Sequence, residues 1–291
     1  MTERDREIVR QVHRFRLLTR EQIERLLFAP AHGQTHPTKT SKASLRLKLL
    51  YQHGYLERIP TPVASGAWAW RPVYRLSAKG AALVAAELGL TPRHLAYWGR
   101  TDDHDHRPSA VSWLFLQHVL ALNDVRIAIT EAALAHGYRL ETWLDDTTLK
   151  RQERRDSVLV TNSQGRSHRV PVIPDAYFAL HLGDRRAHFL LELDRATMNH
   201  KRWKLRVQAY LAYVRSGQYQ ARYQTHSLRI LTVTTTVQRL ANLQETTRKA
   251  GGDDLFWFTT QEELTAQSVL SSPIWRLASA ETDRSRNVLI S

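Results

Sequence analysis

Cysteine is absent from all 291 residues. That excludes disulfides, zinc fingers, iron–sulfur clusters and thiol nucleophiles, and leaves packing as the source of stability. Long apolar runs are absent as well: no stretch approaches a membrane span, and the opening Met1-Thr-Glu-Arg-Asp-Arg-Glu7 is too charged for a signal peptide. A cytoplasmic location with no membrane partner is therefore expected. Acid is scarce relative to base, with 28 Asp and Glu against 42 Lys and Arg, a net charge of +14 and a pI near 10.3. An excess of that size points to a polyanionic partner, either nucleic acid or an anionic membrane surface. Residues 1–90 hold 15 Lys and Arg against 7 Asp and Glu, so a surplus of 8 lies in less than a third of the chain. The arginine-rich balance suits bidentate contact with phosphate or guanine.

The length suits two domains, each large enough to bury its own core. In the first, Ile8, Val9, Val12 and Phe15 recur at helical spacing, and Thr19 is placed to cap a second helix carrying Ile23, Leu26 and Leu27. With its acid at Glu21, two residues on, that cap does not read as a full capping box. A third helix is predicted from Thr40 or Ser41, carrying Leu45, Leu49 and Leu50 and stopped by Gly54. Tyr55–Ile59 and Val73–Leu76 read as two returning strands around a tip with Trp68, Trp70 and Arg71. Three short helices and a hairpin are the order of a winged helix-turn-helix, whose third helix enters the major groove. That nominates Lys42, Ser44, Arg46 and Lys48 for DNA contact, with Arg71 reaching from the wing. Ser77 is expected to cap a fourth helix ending at Gly89.

Residues 91–109 look like a linker. Their string Asp102-Asp-His-Asp-His106 reads as a solvated tract more readily than a metal site. A long helix is predicted from Ser109 to Ala135. After it come strands at 138–143, 157–160, 168–173, 176–182 and 188–193, with the basic turn Lys150-Arg-Gln-Glu-Arg-Arg155 suited to guiding a phosphate backbone. Then follow a helix to Arg215, a strand 228–234, a helix 237–249, a strand 255–258 and a helix 262–269. That order argues for an α/β domain on a central mixed sheet over 110–270, α+β for the chain overall. Residues 271–291 are left as a polar, flexible tail.

Within that domain, Val172-Ile-Pro-Asp-Ala-Tyr-Phe178 and Leu190-Leu-Glu-Leu-Asp194 place acids on apolar runs. Strand alternation puts Leu191 and Leu193 on one face and Glu192 and Asp194 on the other. An ionised carboxylate in an apolar strand is costly unless compensated, and Mg2+ or Mn2+ compensates it with oxygen ligands. A salt-bridged pair beside Arg195 and Arg169 is the alternative. On the next helix Trp203, Val207, Tyr210 and Val214 share a face, while Lys201, Lys204 and Gln208 form a polar arc. Lys204, at the border, is placed either to approach the acids and stabilise charge on a phosphate or to snorkel to solvent.

The chain resembles the replication-relaxation family of plasmid and integrative-element proteins, related to the MOB-C type of conjugative relaxase. The resemblance runs through Tyr74-Arg-Leu-Ser-Ala-Lys-Gly80, a helix with His118, Asn123 and Asp124, Leu140-Glu-Thr-Trp143, Pro174-Asp-Ala-Tyr-Phe178, Glu192-Leu-Asp-Arg-Ala-Thr197, and Tyr210 with Tyr213. Its second domain is similar to the PD-(D/E)xK nuclease fold. The resemblance implies that Asp175 and Glu192 are metal ligands. Asp194 stands where the nuclease pattern has its lysine, which nominates Lys204, with Lys201 second, as a lysine supplied by the following helix.

The resulting expectation is a winged-helix protein that binds double-stranded DNA near a plasmid or element origin and nicks it with Mg2+ or Mn2+. Asp175 and Glu192 hold the metal, Asp194 supports them and Lys204 meets the phosphate; other replication or conjugation proteins are possible partners. The alternative is a non-enzymatic DNA-binding accessory or regulator with a degenerate nuclease domain.

Overall fold

A computed structural model of the chain describes residues 1–28, 37–59, 72–95, 97, 113–151, 153, 155–161, 164–196, 198–279 and 286–290. Two compact units result, Met1–Ile127 and Ala128–Ser291. The fold is mixed α/β. The first unit contains α1 (Glu3–Phe15), β1 (Leu18–Thr19), α2 (Arg20–Leu27), α3 (Pro37–Gln52), β2 (Leu56–Ile59), β3 (Val73–Leu76) and α4 (Ala78–Glu87). Helix α5 (Trp113–Ala135) contains the division between the units.

Helix α1 buries Ile8, Val9, Val12 and Phe15, as their spacing predicts, and starts in a capping box between Thr2 and Asp5. Helix α2 also starts in a full capping box, because the partner of Thr19 is Gln22, three residues on, rather than Glu21. The same Gln22 amide donates to the Leu120 carbonyl and to Asp124, both at 2.9 Å. Asn123, buried beside it, donates to the carbonyls of Phe15 and Leu17 at 3.2 and 2.6 Å. Two residues that carried the family resemblance thus close the polar ends of α1 and α2. In α3 the buried face is Ala43, Leu47 and Leu50, whereas Leu45, expected in the core, is 56% exposed. Small Ala43 begins a clean i, i+4, i+7 stripe, and choosing positions by leucine alone picks the wrong arc.

Strands β1, β3 and β2 form an antiparallel sheet in that order. The segment after β3 is a clasp. Ser77 Oγ donates to the Gly54 carbonyl at 2.5 Å and accepts from Gly80 N at 3.0 Å, while Lys79 donates to the His53 carbonyl at 2.9 Å. Together these satisfy the end of α3 and the start of α4. A Cβ on Gly80 would lie 2.1 Å from the Tyr55 carbonyl oxygen. Gly80→Ala is therefore expected to destabilise the first unit by about 1–3 kcal/mol through overpacking; an unchanged urea midpoint would show that α4 shifts freely.

The second unit is built on a seven-stranded mixed sheet ordered β12-β11-β10-β9-β8-β7-β4. These strands are β4 (Arg139–Asp145), β7 (Ala176–Leu182), β8 (Arg185–Asp194), β9 (Arg229–Thr234), β10 (Phe256–Thr260), β11 (Trp275–Leu277) and β12 (Arg286–Asn287). The central β8, β9 and β10 are parallel, and the flanking pairs are antiparallel. Parallel neighbours need crossovers, supplied by α7 (His200–Arg215) with α8 (Gln218–Tyr223), then by α9 (Val237–Lys249). These helices close a core with Trp203, Tyr210, Tyr213, Ile230 and Phe256 at its centre. Ahead of them, α6 (Asp146–Leu149) leads into a separate two-stranded sheet of β5 (Asp156–Thr161) and β6 (Ser167–Val172). Two expectations are corrected. The stretch 262–269 is turns, because Thr265 and Ser268 bond each other's backbone amides at 3.0 and 3.2 Å and Glu263 is drawn to Arg276 at 2.7 and 2.9 Å. The described part of the expected tail is held: Trp275 is buried and donates to the Val269 carbonyl at 2.9 Å, and Leu289, 1% exposed, takes a bond from Arg229 at 2.7 Å.

Candidate functional site

The β7–β8 register pairs Ala176 with Leu191, so the next position along sets Asp175 against Glu192 at the strand ends. Asp175 is fixed from both sides: its backbone N–H donates to the Leu191 carbonyl at 2.9 Å, and its Oδ2 accepts from Leu193 N at 2.7 Å. The Glu192 carboxylate is buried on the face covered by α7, where it accepts from the Arg206 guanidinium and the Tyr210 hydroxyl. Arg206 also donates to the Ile173 carbonyl at 3.0 Å, tying α7 to the segment that carries Asp175. Burial pushes the Glu192 carboxyl up to about 7; Arg206 pulls it down and the neighbouring Asp175 carboxyl raises it further. The same Glu192 charge raises Arg206 above its ordinary value. Burial, then Glu192, hold the Tyr210 phenol well above its usual range, so it stays a hydrogen-bond donor.

Asp194, on the same side of β8 as alternation predicts, is buried among different partners. Its two oxygens accept from Arg239 Nε and Nη2 at 2.7 and 2.9 Å, and Oδ2 also accepts from Thr234 Oγ1 at 2.9 Å and Ala196 N at 3.2 Å. Arg239 also donates to the Met198 carbonyl at 2.5 Å, so Asp194 anchors the approach to α7 onto α9. Hydrogen bonding to Asp194 raises Arg239 above its ordinary value. Lys201 and Lys204 are both exposed on α7. The cation that meets Glu192 is Arg206, four residues before Tyr210 and so on its side of the helix. That spacing is the signal by which Arg206 and Tyr210 could have been chosen together. A cleft of about 230 Å3 adjoins the pair, with Ile173, Leu205, Arg202, Arg206 and Tyr210 in its wall.

Among the described residues no three carboxylate or imidazole side chains converge as a ready metal cage. Asp175 and Glu192 nonetheless have the donor chemistry of a hard divalent cation, which commonly takes one or two carboxylates and completes its shell with water and phosphate oxygen. Arg206 already supplies positive charge at Glu192, so an ion bound there would have to displace its guanidinium.

On α3, Lys42 and Lys48 are exposed with Leu45 between them, while Ser44 is half-buried. Arg46 reaches back to Asp5 of α1 at 3.3 Å, which commits part of its charge to packing. Arg71, Trp68, Trp70, Arg154 and the 102–106 tract lie outside the described residues. Lys150 pairs with Asp146 at 2.6 Å, and Arg151 and Arg155 are exposed. Lys42→Ala with Lys48→Ala is expected to weaken duplex DNA binding by on the order of tenfold per lysine, the value of a charge-assisted contact of roughly 1.5–3 kcal/mol. Fluorescence anisotropy checks it, and parent-like affinity would take DNA contact away from this helix.

No helix among the described residues is long and apolar enough to cross a membrane. A family model described as replication-relaxation matches residues 9–228. No curated protein and no solved structure matches the chain.

Proposed function

The chain belongs to the replication-relaxation family, which associates it with the replication or relaxation of mobile-element DNA, and from that premise we propose that it binds double-stranded DNA near a plasmid or element origin and nicks it. The first unit acts as the winged helix-turn-helix. Its order α1, β1, α2, α3, β2, β3 and the antiparallel sheet β1-β3-β2 support that reading, and the exposed Lys42, Leu45 and Lys48 on the third helix suit phosphate and thymine-methyl contact. The second unit acts as a PD-(D/E)xK-like nuclease domain.

The observation that carries nicking is the juxtaposition of Asp175 and Glu192 on paired strands, with Glu192 buried and poised near neutrality beside a cleft edged by two arginines. Asp175 and Glu192 would hold Mg2+ or Mn2+, which when bound supplies a water of lowered pKa and positive charge at the scissile phosphate. Arg206, released from Glu192, and Arg202 orient the phosphodiester in the cleft. Asp194 keeps α7 and α9 in place through Arg239, and Lys204 meets the phosphate from the solvent side. Tyr210 holds Glu192 in position by its hydroxyl.

A non-enzymatic DNA-binding accessory is the second reading. It is favoured by the same Glu192, whose charge Arg206 and Tyr210 already satisfy, and by Asp194 in the lysine position of the nuclease pattern. Conversion of supercoiled plasmid carrying the native origin region to open circle, with Mg2+, Mn2+ or EDTA, separates the two. Metal-dependent open circles support nicking. Duplex binding without cutting in either metal leaves the accessory, and absence of duplex binding overturns both.

A further inference from the structure

Strands β5 and β6 stand apart from the seven-stranded sheet as a ribbon of six registered pairs, Asp156↔Val172 through Thr161↔Ser167. Alternation gives it two unlike faces. Val158, Val160 and Val172 are buried in the core that α7 closes. The other face presents Ser157, Leu159, Thr161, Ser167 and Arg169, with Leu159 64% exposed. Arg169 donates to Ser157 Oγ at 3.1 Å, and the Thr161 and Ser167 hydroxyls lie 2.8 Å apart. Two more arginines, Arg155 and Arg166, are exposed at opposite ends of the ribbon. Within the strands the acid is Asp156, and it is turned away: its carboxylate accepts from Tyr213 at 2.5 Å and from Arg222 Nε at 3.0 Å. Exposed Glu153 precedes the ribbon in a segment whose carbonyl also bonds Arg222.

We propose that this ribbon is a second DNA-contacting element, lying face-on in the major groove of duplex DNA. The inference rests on the reading that the chain binds duplex DNA, and extends it to a surface unrelated to α3. Strands of this length run roughly 20 Å, and a two-stranded ribbon fits a major groove about 12 Å wide. The face carries what such a groove is read with: a guanidinium for guanine, hydroxyls for either edge, and a leucine for the thymine methyl. The arginines at its ends are placed for phosphates on the two sides of the groove. Anchorage of Asp156 by Tyr213 and Arg222 holds the ribbon in shape before DNA arrives, which reduces the ordering cost of binding.

The test is fluorescence anisotropy of the full chain on labelled short duplexes carrying native origin sequence or a scrambled one, over a series of salt concentrations. Four proteins are compared: the parent, Arg155→Ala/Arg166→Ala/Arg169→Ala, Leu159→Ser, and Lys42→Ala/Lys48→Ala. The triple arginine variant is expected to bind more weakly and to lower the slope of log affinity against log salt by about 2–3, near 0.9 for each lost phosphate contact. Leu159→Ser should keep the salt slope while losing preference for origin over scrambled duplex. All substituted residues are exposed, so thermal unfolding should match the parent and confirms that folding is intact. Parent-like affinity, slope and preference in both ribbon variants, with binding still lost in the Lys42 and Lys48 variant, would overturn the ribbon and leave the DNA reading standing. A parent that binds no duplex would overturn both.

Discussion

Arg206→Ala should cost the second unit about 3–5 kcal/mol at about pH 8, because it leaves Glu192 buried without its cation. Near about pH 5 the cost should be much smaller, since Glu192 is then protonated with or without the arginine. The sign follows from proton binding. An acid whose folded-state pKa is raised holds more protons folded than unfolded between the ordinary glutamate range and its raised value, here about 7, so its contribution disfavours folding increasingly as pH rises through that window. Removing Arg206 raises Glu192 further, so the gap between variant and parent widens above neutrality. Urea midpoints across that range measure it. Adding Glu192→Gln to Arg206→Ala should flatten the pH dependence; a penalty that stays constant with pH would mean that Arg206 stabilises through the Ile173 carbonyl instead. The same variant opens Glu192 to a metal, and Mn2+ should then recover part of the lost stability by binding the folded state.

Asp175→Ala and Glu192→Gln should each slow metal-dependent plasmid nicking by at least about 100-fold, the scale of losing one preorganised electrostatic element of an active site. Lys204→Ala should cost roughly tenfold or less, since an exposed charge is worth about 1 kcal/mol. The glutamine variant retains a carbonyl for Tyr210, and circular dichroism checks that both acid variants fold. Equal nicking by the parent and both acid variants would remove this site from the chemistry. No nicking by the parent in Mg2+ or Mn2+, with duplex binding intact, would give the chain to the accessory reading and make the Arg206–Glu192 pair a structural replacement for the ion.

Much of the secondary structure was legible because it is written in local terms. The helical spacing of Ile8, Val9, Val12 and Phe15, the β-branched run at 229–234 and the cap at Ser77 each act within a few residues. The misplaced helix at 262–269 shows where local reading ends. Its pattern is helical, but Glu263 bonds Arg276, thirteen residues away, and the hydroxyls of Thr265 and Ser268 outcompete the helix for backbone amides. Strand β11 was missed for a similar reason: three residues are too few to show alternation, and Trp275 is buried because β10 lies beside it.

The candidate site divides along the same line. Sequence by itself determined the cationic excess, the absence of thiol chemistry and, through the two-residue period of a strand, that Glu192 and Asp194 share a side. Only the tertiary structure decided what meets each acid. The β8-to-β9 crossover lays α7 over the sheet and brings Arg206 and Tyr210 to Glu192, while the next crossover brings Arg239, 45 residues along the chain, to Asp194. A buried carboxylate takes whichever cation the packing delivers, because desolvation makes an unpaired charge more costly than any local preference can offset; that choice depends on how helices cross a sheet and is not written in the strand that carries the acid.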